Sequence, residues 1–257
     1  FFKIDMPGNK QAAYELTVNL RETYRFIMSS LLKDAELTGK QGLLFDSLLM
    51  LMTVIPGATM DTYLELLTEE GFEEHREWVA LLDPKAQGFF TRDYITGKRT
   101  DQYQSTREEV RRRLQQLIIN PIFGGMFCQP DLSLDLYGGM QAGQMILLDT
   151  DKGVLGDTDS ATMGALFIGL MYQAIMKRDP EDPRNTPCYF IIDECHEYFK
   201  HTGAQLALLL SQARKRNVGL ILAHQYLQQL NAAPGLYDSI DANTAIKMVG
   251  GASRGDA

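Results

Sequence analysis

The chain has 257 residues, of which 45% are hydrophobic and 23% charged, the balance of an ordinary folded protein with material for one large core or two modest ones. A formal net charge of −8 excludes a protein whose whole surface binds nucleic acid and leaves room only for a local basic patch. Cys128, Cys188 and Cys195 are odd in number and set among apolar residues, which predicts reduced thiols rather than a disulfide framework, and no apolar run approaches the roughly 18 residues of a membrane helix.

In chain order, Phe1-Phe2-Lys3-Ile4-Asp5 lacks an initiator methionine and alternates like a strand, so the chain reads as a piece of a longer protein. After the turn at Pro7-Gly8-Asn9, Leu16, Leu20, Tyr24, Ile27 and Leu31 recur at spacings of four, four, three and four, one face of a long amphipathic helix. Residues 41 to 55 predict an apolar helix stopped by Pro56-Gly57. Thr59 is expected to cap a helix with Asp61 in its first turn, running through Glu70 and ended by Gly71. Helical pattern resumes around Trp78, Val79, Leu81 and Leu82. Ser105 and Thr106, with Glu108 and Glu109 three residues on, predict overlapping capping boxes for a helix whose inner face is Val110, Leu114, Leu117 and Ile118 and which ends at Asn120-Pro121. A domain boundary is expected near Asp135, separating a mostly helical 1–135, with its short N-terminal strand, from 136–257.

From Gly143 onward the pattern alternates. Residues 145 to 149 read as a strand, 161 to 177 as a helix, and 178 to 187 as a charged, Pro-rich loop. Cys188-Tyr-Phe-Ile-Ile192 then reads as a fully buried strand that delivers Asp193 and Glu194 to a sheet edge. Residues 203 to 216 predict a helix, 218 to 223 a strand, 225 to 230 a short helix and 244 to 250 a further strand. Such alternation implies an α/β fold, a parallel sheet with flanking helices.

Open α/β sheets bind ligands at the C-terminal ends of their strands. Two adjacent carboxylates there suit metal-assisted phosphoryl transfer, Asp193 holding hydrated magnesium and Glu194 orienting or deprotonating the attacking water. They fit equally a strand that runs into an acidic surface turn. Arg214-Lys215-Arg216 closes the next helix, where a basic terminus also complements the helix dipole, and Gln225 follows the next strand, where it also fits a polar residue at a helix start. At one edge of a parallel sheet, Asp193, Glu194 and Gln225 would converge on one phosphate and its metal. Arg214, at the far end of its helix, is better placed to reach a neighbouring subunit's site than its own.

The arrangement Phe-Ile-Ile-Asp193-Glu194, Ser211-Gln-Ala-Arg214-Lys215 and Leu-Ile-Leu-Ala-His-Gln225 resembles the motor domain of the FtsK/HerA superfamily, and within it the type IV secretion and conjugation ATPases, especially the coupling proteins that feed DNA to the secretion channel. Gly143-Gln-Met-Ile-Leu-Leu-Asp149 is similar to that family's strand before the Walker B motif, and the helical first half to its inserted all-α domain. The resemblance implies a partial RecA-like P-loop NTPase core plus an all-α inserted domain. It implies that Asp193 is the Walker B carboxylate that holds Mg2+ through water, Glu194 the catalytic base, Gln225 the γ-phosphate sensor and Arg214 an arginine finger supplied in trans, with ATP and Mg2+ as ligands. For the full-length parent it implies a homo-hexamer, DNA and type IV secretion components as partners, and a place at the cytoplasmic face of the inner membrane. Two rival readings are a sister ATPase that assembles the secretion apparatus and moves protein, and a non-catalytic adaptor or DNA-binding module that keeps the fold.

One element of the pattern is missing. A Walker A loop needs Gly, four residues, then Gly-Lys-Ser/Thr, so that backbone N–H groups and a lysine cradle the phosphates. Gly39-Lys40 and Gly97-Lys98 are the only Gly-Lys pairs, and neither fits. The loop is therefore expected before Phe1, the isolated piece is expected to bind nucleotide poorly and not to hydrolyse it, and the sheet is expected to show a gap that residues 244 to 250 or another chain would fill. His196-Glu197 with His201 mimics a zinc-protease helix, but the second histidine is about 140° around from the first. Asp149-Thr-Asp151-Lys-Gly153 begins like a calcium loop and then lacks its later ligands. Arg107, Arg111, Arg112 and Arg113 form the densest basic cluster, either a solvated face paired with Glu108 and Glu109 or a DNA contact.

Overall fold

The computed structural model describes residues 39–94, 103–129, 134–232 and 235–250, so the expected opening strand and the helix carrying Leu16 to Leu31 lie outside the described residues. The chain divides into two compact units, Phe1–Leu134 and Asp135–Ala257. The described residues are mostly helical, with a two-stranded parallel sheet in the second unit.

In the first unit, α1 (Gly39–Met52) is apolar around most of its circumference and is enclosed accordingly, with Leu44, Phe45, Leu48 and Leu51 fully buried. Thr59 starts α2 (Met60–Leu66) through a capping box: its hydroxyl accepts from the Asp61 N–H at 3.2 Å, and Thr62 Oγ1 accepts from the Thr59 N–H at 3.2 Å. The single helix expected through Glu70 is two, because Thr68 accepts from the Gly71 N–H at 3.1 Å and caps α3 (Glu69–Glu74). Gly71 therefore sits inside a helix instead of ending one; a Cβ there would strike the Glu65 backbone, so the glycine serves close approach. Around Trp78 the chain forms a 3-10 segment, Arg76–Leu81. Asp83 then opens α4 (Pro84–Arg92), accepting from the Lys85 and Ala86 N–H groups at 2.9 and 3.2 Å, with Pro84 at the first helical position.

Helix α5 (Gln104–Ile118) starts ahead of both expected capping boxes, and neither forms. Burial anchors its start instead: Tyr103 is enclosed and meets Phe89 edge-on at 5.3 Å. Val110, Leu114 and Leu117 face the core, and Asn120 caps α6 (Pro121–Phe127) by accepting from the Ile122 N–H at 2.9 Å. Phe72, Phe90 and Tyr94 form the aromatic centre, with Phe72 5.7 Å from Phe90 and 4.9 Å from Tyr94, and the Tyr94 hydroxyl donates to the Leu66 carbonyl.

The second unit comprises α7 (Leu136–Gln141), α8 (Lys152–Leu155), α9 (Asp157–Met176), β1 (Cys188–Ile192), α10 (Phe199–Gln212), β2 (Val218–Leu222) and α11 (Leu236–Asn243). β1 and β2 pair in parallel, Cys188 opposite Val218 and Ile192 opposite Leu222, with α10 in the crossover. α9 packs on α10 and α10 on α11, enclosing Leu166, Ile175, Phe199 and Leu206 completely. Arg178, itself buried, ties the two loops that feed the strands: its Nη1 donates to the carbonyls of Thr186 at 2.9 Å and Arg216 at 3.2 Å.

Three sequence expectations fail here, two of them because a strand needs a neighbour's backbone. Residues 145 to 149 form no strand; Met145 and Leu147 are each 86% exposed. Residues 244 to 250 form none either, with Met248 91% exposed. Among the described residues neither segment meets a sheet partner, so neither ladder closes. The third is the burial of β1, which is enclosed on one face only: Ile192 is buried, while Tyr189 and Ile191 are exposed on the other face. An apolar run identifies a strand but cannot say whether both faces are covered.

Candidate active site

Both strands end at the same rim, and the hydrogen-bond ladder carries on past them. The Ala223 N–H donates to the Ile192 carbonyl at 3.0 Å, and the Cys195 N–H donates to the Ala223 carbonyl at 2.9 Å. Between these two bonds β1 turns sharply through Asp193 and Glu194. Glu194 takes the left-handed conformation, φ 45° and ψ 43°, and its N–H is held by Asp193 Oδ1 at 3.0 Å. A glutamate there carries about 1 kcal/mol of backbone strain or more, a cost that clusters at functional sites.

That turn aims the Glu194 side chain at the end of β2. Gln225 Nε2 donates to Glu194 Oε1 at 2.8 Å, so the structure brings Glu194 and Gln225 together at one rim, beside the exposed carboxylate of Asp193. The three line a cleft of about 630 Å³, within the range of small-molecule sites. Its opposite wall is Leu148 to Lys152 with Ser160 and Tyr198. This wall is tied down by its own bonds: Ser160 Oγ donates to the Thr150 carbonyl at 2.6 Å, and Thr150 Oγ1 and the Tyr198 hydroxyl are 2.9 Å apart. Lys152 crosses to Glu197, Nζ to Oε1 2.7 Å, and that bond, with the charge of Glu197, holds the ammonium pKa above its ordinary value.

Arg214 is not brought to the cleft. It opens the 3-10 turn Arg214–Arg216 that precedes β2, so the length of the strand, roughly 16 Å at 3.3 Å per residue, separates it from Gln225, and its side chain is exposed at the opposite rim. Several other candidates resolve into local structure. Asp149 Oδ1 accepts from the Asp151 N–H at 3.0 Å and Asp151 Oδ1 from the Gly153 N–H at 2.8 Å, so the calcium-like stretch is a pair of carboxylate turns leading into α8. The arginine cluster of α5 is divided: Arg107 is 4% exposed and lies over the Tyr94 ring at 5.2 Å, Arg113 pairs with Glu109 at 2.6 Å, and Arg111 and Arg112 are exposed. Buried Arg107 belongs neither to a solvated face nor to a surface that could meet DNA, whereas Arg113 makes the expected pair with Glu109. Residues that the sequence did not place at this site also stand in the cleft, namely His196, weighed only as a zinc ligand, and Gln229, Lys152 and Tyr198. The one available signal was spacing, since Gln229 lies one helical turn beyond Gln225.

No group of three or more His, Cys, Asp or Glu residues able to hold a metal occurs among the described residues. The group the cleft offers a metal is the exposed carboxylate of Asp193, an oxygen donor that suits a cation which keeps most of its water, as Mg2+ does. Among the described residues no helix is long and apolar enough to cross a membrane. No protein-family model, no curated protein and no solved structure matches the chain.

Proposed function

We propose that the second unit supplies the magnesium and base half of an ATP-hydrolysing site, in a partial RecA-like core, and that the chain is part of a hexameric motor that transfers DNA in conjugation or type IV secretion at the cytoplasmic face of the inner membrane. The observation that carries the reading is the 2.8 Å bond from Gln225 to Glu194, beside Asp193, at the C-terminal rim of a parallel strand pair. Asp193 would hold Mg2+ through water, and the charge such an ion supplies would offset that of the phosphates. Glu194 Oε1 accepts a proton from the attacking water as the new O–P bond forms and the bond from the γ-phosphorus to the bridging oxygen breaks, giving ADP and phosphate. Gln225 holds Glu194 until a γ-phosphate competes for its amide. Arg214, too far from its own cleft, serves a neighbouring subunit as an arginine finger, and the exposed Arg111 and Arg112 contact DNA.

The phosphate-binding loop is absent from these 257 residues, so the reading assigns it to chain outside them. The test is phosphate release from Mg·ATP by the gene product extended to include that loop, with and without DNA. Turnover raised by DNA supports the proposal. Turnover indifferent to DNA favours a motor that moves protein, and no turnover with the loop intact leaves a non-catalytic module.

A further inference from the structure

Only one oxygen of the Glu194 carboxylate has a hydrogen-bond partner in the structure. Gln225 binds Glu194 Oε1. The other oxygen, Oε2, is buried and makes no hydrogen bond, and the same is true of His196 Nδ1, which stands 3.4 Å from it. Two buried polar atoms facing each other at that distance are costly unless a proton lies between them.

The surrounding bonds decide where the imidazole proton sits. Gln229 Oε1 accepts from the Gln225 N–H at 3.0 Å and from the Tyr226 N–H at 3.1 Å. Turning that amide over would set its NH2 group against two N–H groups, so its orientation is fixed with Nε2 pointing away from them. Gln229 Nε2 lies 3.1 Å from His196 Nε2. An amide NH2 only donates, so His196 Nε2 must accept, and the neutral ring carries its proton on Nδ1. Glu197 Oε1 lies farther from the same Nε2, at 3.5 Å, and makes no hydrogen bond to it.

Resting on the reading of Glu194 as the base, we infer that His196 is a positioning residue for it. Gln229 fixes the Nδ1–H tautomer of His196, and that N–H holds Glu194 Oε2. With Gln225 on Oε1, both oxygens of the carboxylate are then fixed in place across a strained left-handed turn. The relay runs outward from the reacting group, from Glu194 to His196 to Gln229, whose oxygen in turn fixes the backbone on either side of the Gln225 peptide.

The test has two arms. In the 257-residue chain, nitrogen-15 NMR of the His196 ring reads the tautomer directly. The inference requires a protonated Nδ1 and a bare Nε2 in the wild type. It also requires a proton on Nε2 in Gln229→Glu, which keeps an acceptor for the two backbone N–H groups but turns an oxygen toward the ring. A wild-type ring protonated on Nε2 overturns the inference whatever the enzyme does. In the extended protein, His196→Ala and His196→Gln lower kcat about 10- to 100-fold at unchanged KM. His196→Asn, whose Nδ2 takes the place of Nδ1 as a donor, recovers most of that loss. A kcat in His196→Ala equal to wild type also overturns the inference. Absence of turnover in the wild type removes the functional reading and the positioning role with it, whereas the wrong tautomer removes the His196 inference alone.

Discussion

Gly164→Ala tests how the wall of the cleft is packed. Gly164 lies inside α9, where glycine is about 0.8–1.0 kcal/mol worse than alanine, so an unhindered substitution would stabilise the protein. A Cβ there, however, would stand 2.8 Å from Cζ of the Tyr198 ring and closer still to its Cδ1 and Cε1. The ring has little freedom to retreat, because its backbone leads straight into the fully buried Phe199 and its hydroxyl meets Thr150 at 2.9 Å. Overpacking of this kind costs about 1–3 kcal/mol, so the net effect is a loss of about 1 kcal/mol after the helical gain. In a Tyr198→Ala background the ring is gone, only the helical gain remains, and the same change stabilises by up to about 1 kcal/mol. Denaturant unfolding of the four proteins, followed by far-UV circular dichroism, completes the cycle. An equal penalty for Gly164→Ala in both backgrounds would refute the reasoning.

Further predictions concern the strand entrances, two titrating groups and one helix cap. Arg178→Met leaves the Thr186 and Arg216 carbonyls without their donor and costs about 2 kcal/mol in thermal unfolding; an unchanged midpoint contradicts the role given to that side chain. Hydrogen bonds from the Arg184 side chain and backbone, with its charge, hold the half-buried Asp182 carboxyl at about 2 against an ordinary 3.8. Its contribution is therefore present at neutral pH and lost as pH falls from about 4 toward 2. Arg184→Ala should return the midpoint toward 3.8 by carboxyl-carbon NMR, and no movement would count against the pair. Burial pushes the Cys195 thiol up from 9.0 to about 12, so above pH 9 the unfolded chain releases a proton that the folded one keeps, and stability declines with pH until about 12. Alkylation at pH 8 should spare Cys195 in the native protein, and modification at the rate of the unfolded chain would contradict its burial. Thr68→Ala removes the α3 cap and costs about 1 kcal/mol of stability.

Local signals made much of the helical part legible. Thr59 announces a helix start, Asn120-Pro121 a helix end, and the spacing of Val110, Leu114 and Leu117 identifies a core face, because these depend on neighbours a few residues away. Asp83-Pro84 carried an equally local signal that went unread. Ser105 and Thr106 had the right chemistry for a cap, but burial of Tyr103 moved the helix start ahead of them, a tertiary effect that no local pattern contains. Strand identity behaved differently. Cys188–Ile192 and Val218–Leu222 found each other, while the equally apolar 145–149 did not, since pairing depends on a distant backbone being present. At the site, the carboxylates and Gln225 stand out in sequence because each follows an apolar run. His196 and Gln229 do not, because their role rests on the orientation of an amide and a ring that only coordinates reveal.

The most direct test of the central claim is phosphate release from Mg·ATP by the loop-bearing protein with Glu194→Gln. A glutamine there can still meet Gln225 but cannot take a proton from water. The account predicts that turnover falls about 10²- to 10⁴-fold while nucleotide remains bound. Turnover equal to wild type would contradict it.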